Sequence, residues 1–159
     1  MRTVVTFDRG NVRFHYRSVG IAIDGDRVLL QKMADKDFWY LPGGGAELLE
    51  PATETLKREM REELGVDIRV GRLVWVVENY FRMNDKLWHQ LSLFFLMSFP
   101  EHAHILKKTE LSGKDDDIKV LNKWHQLRDL MNINLVPSFL RTGLTKIPQN
   151  AEYIVHRDA

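Results

Sequence analysis

Cysteine is absent from this chain. That excludes disulfides, zinc–thiolate centres and thiol nucleophiles together. An excess of one charge is also missing. The 23 Lys and Arg residues face 22 Asp and Glu, a formal net charge of +1, so no bulk electrostatic attraction to long nucleic acid is indicated. Long hydrophobic runs are missing too. The longest, from Leu91 to Phe99, is broken by Ser92 and Ser98 and is too short to span a membrane. The opening residues, MRTVVTFDRG, lack the apolar stretch of a signal peptide. The expectation is a soluble, cytoplasmic protein with neither a membrane nor a long nucleic acid as partner.

What is present suits an ordinary folded protein. A hydrophobic content of 44% and a charged content of 28% over 159 residues are enough for one sizeable core. A single domain over 1–159 is expected. Strand-like segments are read at Val4–Phe7, Arg13–Ile23, Arg27–Lys32, Phe38–Leu41, Ile68–Phe81, Leu87–Phe99, Val120–Trp124 and Tyr153–His156. Helical ones are read at Pro51–Leu64 and Pro137–Leu144. Residues 100–118 are polar and read as an irregular, mobile loop. Strands around one central helix, with a late second helix, predict an α/β fold: a mixed β-sheet sandwiched by helices.

The segment from Gly44 to Val66, GGAELLEPATETLKREMREELGV, carries the chemistry. Pro51 suits a first helical turn and Gly65 a helix stop. Between them Ala52, Leu56, Met60 and Leu64 form an apolar stripe at helical spacing. Glu63 projects inside that stripe, Glu59 lies at its edge, and Glu62 is further round. Like charges so close cost a helix roughly 0.2–0.5 kcal/mol per pair. Carboxylates aimed at a core are almost never buried unless they are paired or bind metal. A solvated amphipathic helix is the plain alternative. Clustered hard oxygens are also what divalent cations require.

The spacing is G-x5-E-x7-R-E-hydrophobic-x-E-E-x-G-hydrophobic: Gly44, Glu50, Arg58, Glu59, Met60, Glu62, Glu63, Gly65, Val66. Its seven fixed letters coincide by chance on the order of once in 10^8 starting points. The pattern resembles the signature of the Nudix hydrolases, and Trp39-Tyr40-Leu41-Pro42-Gly43 leading into it is similar to that family as well. The resemblance implies an α/β/α sandwich and hydrolysis of a diphosphate linked to another group, usually in a nucleoside diphosphate derivative, with Mg2+ or Mn2+ as cofactor. It implies Glu59 and Glu63 as the main metal ligands, with Glu62 and the Gly44 carbonyl beside them. It implies Glu50, Arg58, Glu59 and Glu62 as the catalytic set, in which Arg58 supports the carboxylates. Homodimers are frequent in the family, and the hairpin Tyr80–Trp88 is a candidate interface by that analogy.

Two positions depart from the family pattern. Leu48-Leu49 stands before Glu50 where Pro-Gly is often found. Lys123 precedes Trp124 where some members carry a glutamate that acts as base. Glu110, Asp115, Asp116 and Asp117 are substitutes, each equally read as solvated loop acid. Trp39, Tyr80, Phe81 and His89 are candidates for stacking on a nucleobase, or else core aromatics. Lys32 and Arg17 are candidate phosphate contacts, or else surface cations. The alternative function is a catalytically silent nucleotide-binding or regulatory module on the same fold, which usually has lost a box carboxylate. None is lost here.

Overall fold

The computed structural model describes residues 3–115 and 117–158. In chain order the elements are β1 (Thr6–Arg9), β2 (Val12–Ile21), β3 (Ile23–Asp24), β4 (Arg27–Met33), β5 (Gly43–Gly45), α1 (Ala52–Leu64), β6 (Arg69–Met83), β7 (Lys86–Ser98), α2 (His104–Lys107), β8 (Glu110–Asp115), β9 (Ile118–Gln126), a 3-10 helix (Leu127–Asn132), α3 (Leu140–Gly143) and β10 (Glu152–Arg157). Strands β1-β2-β7-β6-β10 form one mixed sheet in that order, with β5 added to β2, and β3-β4-β9-β8 form a second. Pairs β2/β7 and β6/β10 are parallel. The mixed-sheet α/β expectation holds.

Local chemistry explains the main elements. Helix α1 starts at the residue after Pro51, and Gly65 ends it in a left-handed conformation at φ 65°, donating its N–H to the Arg61 carbonyl. The long β6–β7 hairpin turns at Asn84 and Asp85, with φ of 51° and 61°. These residue types tolerate that region, and a two-residue turn of this hand matches the twist of the strands.

Alternation along the strands divides the core in two. On one side of the larger sheet, Val19, Ile21, Trp75, Val77 and Phe94 pack with Leu135, Leu140 and Leu144. On the other, Phe95 and Met97 pack with Ala52, Leu56 and Met60 of α1 and with Trp124. The helix is tied to the sheet as well as packed on it, because Ser18 Oγ donates to the Ala52 carbonyl at 2.7 Å.

Three expectations need correction. Residues 100–118, read as irregular, carry α2 and β8, and β8 pairs antiparallel with β9. Their polar composition reflects a strand at the edge of the smaller sheet rather than a loop. Phe38–Leu41 is not a strand: Trp39 and Tyr40 make isolated bridges only, to Leu135 and Gln31, because Pro42 lacks the N–H that would continue a ladder. The late helix is shorter than expected, a single turn at Leu140–Gly143. Its approach is made of four-residue turns, Leu140 N–H to Pro137 O at 3.1 Å and Arg141 N–H to Ser138 O at 3.2 Å.

Strand β5 is three glycines, and its pairing with β2 needs them. A Cβ on Gly43 would run into the backbone of Ser18 and Val19 on β2, atoms that cannot yield without breaking the pairing. Gly43→Ala is therefore expected to cost about 2–4 kcal/mol, a fall of about 5–15 °C in Tm by calorimetry. An unchanged Tm would contradict this packing.

Candidate active site

The site is built where β5 meets α1. The helical period buries Glu59 and Glu63, each 6% exposed, beside Leu56 and Met60. Glu62, one step round, is exposed. The stripe read from the sequence is thus the observed one.

Arg58 organises these acids. Its Nε donates to Glu50 Oε2 at 2.8 Å and its Nη1 to Glu59 Oε1 at 2.8 Å, with Glu62 Oε2 at 3.5 Å. Its Nη2 donates to Glu50 Oε1 and to the Gly45 carbonyl, both at 3.1 Å. One guanidinium thereby links the helix, the loop before it and the glycine strand. Glu50 also accepts from Thr55 Oγ1 at 2.6 Å. The Arg58 hydrogen bonds, aided by Thr55 and the Glu47 N–H, hold the Glu50 carboxyl down to about 2 although burial opposes this. Arg58 is raised above its ordinary value, chiefly by Glu50. Glu63 has a separate support. Buried Gln31 donates its Nε2 to Glu63 Oε2 at 2.8 Å and to Asn122 Oδ1 at 3.0 Å. Neither Gln31 nor Asn122 was singled out from the sequence. Their signal was a polar residue at an inward position of an apolar strand.

Among the described residues, no three His, Asp or Glu side chains converge as a ready-made metal cage. The acids fan around Arg58 and Gln31 instead. The donor set nonetheless suits a hard cation, since magnesium takes one or two carboxylates and completes its shell with water and phosphate. The bare Cα of Gly44 keeps room beside them, for a Cβ there would collide with the Glu59 carboxylate.

A cavity of about 380 Å³ opens beside the strand paired to β5. Arg17, Tyr40, Phe81, Trp88, Asn79 and Gln90 are among its lining residues. Phe81 and Trp88 face each other across the hairpin, ring centres 5.5 Å apart and 14° from parallel. Arg17 donates to the Leu41 carbonyl at 2.8 Å and lies 5.4 Å from the Tyr40 ring centre. Burial, and then the charges of Arg17 and Arg13, push the His15 imidazole in this wall down to about 4.

Of the six expected substrate contacts, the structure brings Arg17 and Phe81 to this cavity. Tyr80 and His89 stack on each other, 4.6 Å apart, on the opposite face of the sheet, where Tyr80 Oη donates to Glu78 Oε2 at 3.1 Å. Trp39 packs edge-on against His125 at 4.4 Å, while its neighbours Phe38 and Tyr40 line the cavity. Lys32 sits on β4 opposite Leu121. Trp88, which the sequence reading places only at the end of the candidate interface hairpin, is a lining residue too. Of the substitute acids, Glu110 sits opposite Lys123 in the smaller sheet and Asp117 is exposed. Asp116 and the side chain of Asp115 lie outside the described residues.

An α/β fold that presents an acidic helix against a glycine strand defines the class, and comparison with known proteins supplies the family. The NUDIX domain model matches residues 14–143, and the chain belongs to that family. Diphosphoinositol polyphosphate phosphohydrolase 2 of Rattus norvegicus is 35% identical over 98 residues, 60% of this chain and 55% of that protein. The chain thus spans about half the length of that relative. An RNA pyrophosphohydrolase of Ruthia magnifica is 26% identical, covering 74% of each chain. Among solved structures, the MutT protein of Bacillus halodurans superposes with a TM-score of 0.64 at 20% identity, covering 90% of this chain and 89% of that one. An ADP-ribose pyrophosphatase of Streptococcus suis gives 0.59 at 17%, covering 89% and 98%. These two show the shared fold. None of the described helices is long and apolar enough to cross a membrane.

Two expectations follow from this geometry. Gly44→Ala strikes a side chain where Gly43→Ala strikes backbone. It should displace Glu59 and lower turnover at least about tenfold with little change in Tm; equal turnover would show that Glu59 does not need this space. His15 gives a pH dependence. Its folded pKa lies below the unfolded 6.5, so the unfolded chain takes up the proton first as pH falls. Stability is fully present above 6.5 and is lost as pH drops toward about 4, by on the order of 3 kcal/mol. Thermal melts of His15→Gln should fall less steeply across that window. Identical slopes would rule His15 out.

Proposed function

We propose that this protein is a divalent-cation-dependent hydrolase that cleaves the diphosphate linkage of a nucleoside diphosphate derivative. The observation that carries the reading is the pair of buried carboxylates, Glu59 and Glu63, on one face of α1 against a glycine strand. Nudix hydrolases generally use divalent cations. Mg2+ or Mn2+ fits the oxygen donors present, and Glu59, Glu63, Glu62 and the Gly44 carbonyl are the residues that would hold it. When bound, the cation neutralises diphosphate charge and acidifies a water.

The chain's own residues do the rest. Arg58 fixes the Glu59 carboxylate through Nη1, and Gln31 fixes that of Glu63 through Nε2, so both acids are oriented before substrate arrives. Glu50, ionised over the whole working pH range because Arg58 holds its carboxyl near 2, anchors the guanidinium. Water attacks phosphorus, and the solvent-facing Glu62 carboxylate accepts the proton that it loses. The P–O bond of the bridging oxygen breaks, giving two phosphate products.

The cavity bears on which derivative is taken. The Rattus norvegicus relative is named for a diphosphoinositol polyphosphate, a densely anionic ring that calls for a strongly basic pocket. Here Phe81, Trp88, Phe38 and Val136 contribute much of the wall, and Arg17 and Arg82 are set against the acid Asp158; Arg17 is engaged by the Leu41 carbonyl and His15 is neutral near pH 7. A nucleoside suits this lining better.

The test is Glu63→Gln, which keeps an oxygen for Gln31 but loses the charge. With Mg2+ or Mn2+ and a panel of nucleoside triphosphates, nucleotide sugars, ADP-ribose and dinucleoside polyphosphates, phosphate release should fall about 100-fold or more with the melting curve unchanged. Turnover within a few-fold of wild type would sink the role of Glu63. Metal-enhanced binding without turnover by the unaltered protein would indicate a silent binding module.

A further inference from the structure

The cavity holds a polar group that the fold itself leaves unsatisfied. Asn79 lines the cavity and is 6% exposed, yet its Oδ1 has no hydrogen-bond partner among the described residues. A buried acceptor left unpaired bears its desolvation cost with no return, so its retention at an inward strand position calls for a use. Its position is rigid. Asn79 lies in β6 between Gln90 of β7 and His156 of β10, and Gln90 lines the cavity as well. One residue pair further along the same face stand the stacked rings of Phe81 and Trp88. The next inward pair along these strands is Val77 on β6, apolar and fully buried, and Ser92 on β7, a buried hydroxyl that also lines the cavity. A carboxamide set beside an aromatic wall, with Gln90 and Ser92 as polar neighbours on β7, is the complement of a flat heterocycle with N–H groups on its edge. Asn and Gln recognise base edges in this way, by pairing amide donors and acceptors.

We propose that Asn79 is a specificity-determining residue whose carboxamide hydrogen-bonds the edge of a nucleobase seated in this cavity. This rests on the diphosphate-hydrolase reading and adds to it which part of the substrate the cavity takes and which atom selects it. The base donates an N–H to Asn79 Oδ1, ending the unpaired state. Groups without such an edge leave the oxygen buried and unsatisfied, and so bind more weakly.

The test is calorimetric and needs no metal. AMP, GMP, CMP and UMP are titrated into the protein alongside ribose 5-phosphate, which has the same phosphate and sugar without a base. At least one nucleotide should bind ten times more tightly than ribose 5-phosphate. Asn79→Leu should reduce that ratio about tenfold, the value of one hydrogen bond to a buried group, while Asn79→Asp, which keeps the acceptor, should preserve most of it. If the leucine variant lacks a melting transition, Asn79→Ala withdraws the polar atom without adding bulk and serves in its place. Equal binding of nucleotides and ribose 5-phosphate, an unchanged ratio in the leucine variant, or tighter binding of inositol hexakisphosphate than of every nucleotide would overturn the proposal. Nucleotide selectivity governed by Asn79, in a protein that hydrolyses nothing with Mg2+, would refute the hydrolase reading and leave this one standing. Hydrolysis that discriminates among bases regardless of residue 79 would do the reverse.

Discussion

The Arg58 guanidinium is the contact on which the site depends. Helix α1 brings three carboxylates together within two turns, an arrangement that opposes its own folding. Arg58 removes the conflict by spreading its N–H groups over Glu50, Glu59 and Glu62 and reaching back to the Gly45 carbonyl. Its planar fork can do this; a lysine ammonium, a single point charge, could not satisfy the same acceptors in one plane. The pair it forms with Glu50 is largely sheltered from water, the side chains being 18% and 16% exposed. Such a pair adds little net stability over an apolar alternative, but removing one partner strands the other. What the arrangement supplies is position.

Position is also the theme of the glycine strand. Gly43 and Gly44 lack side chains for different reasons: one lets two backbones pair, the other leaves space for a carboxylate. Adjacent identical letters thus serve the fold and the site separately. Gln31 does for Glu63 what Arg58 does for Glu59. Because Gln31 is on β4, the second sheet also has a hand in aiming the acids.

The acidic helix was legible because a single period governs it. A spacing of 3.6 residues puts Glu63 inside the apolar stripe, Glu59 at its edge and Glu62 further round on the same side; the structure buries the first two and leaves Glu62 exposed. The aromatic surface was less legible because strands alternate and register cannot be read from one strand alone. Tyr80 and Phe81 are neighbours in sequence but point to opposite faces, as do Trp88 and His89; only Phe81 and Trp88 reach the cavity. The same parity puts Phe38 and Tyr40 on the lining while Trp39 turns to His125. Strand β8 escaped notice because its sequence, ELSGKD, has almost no apolar signal. Its glycine is explained only by packing: a Cβ on Gly113 would press on the Glu63 carbonyl.

The parallel pairing of β10 with β6 bears on how the chain is made. Residues 152–157 lie against residues 75–80, far back in sequence, so this edge is among the costliest in loop entropy to close. On a ribosome, the hairpin of β6 and β7 is complete long before β10 emerges. For that interval one flank of β6, Asn79 included, offers unpaired peptide groups to any passing strand. Synthesis of the last strand is then the moment at which the nascent protein loses an adhesive edge.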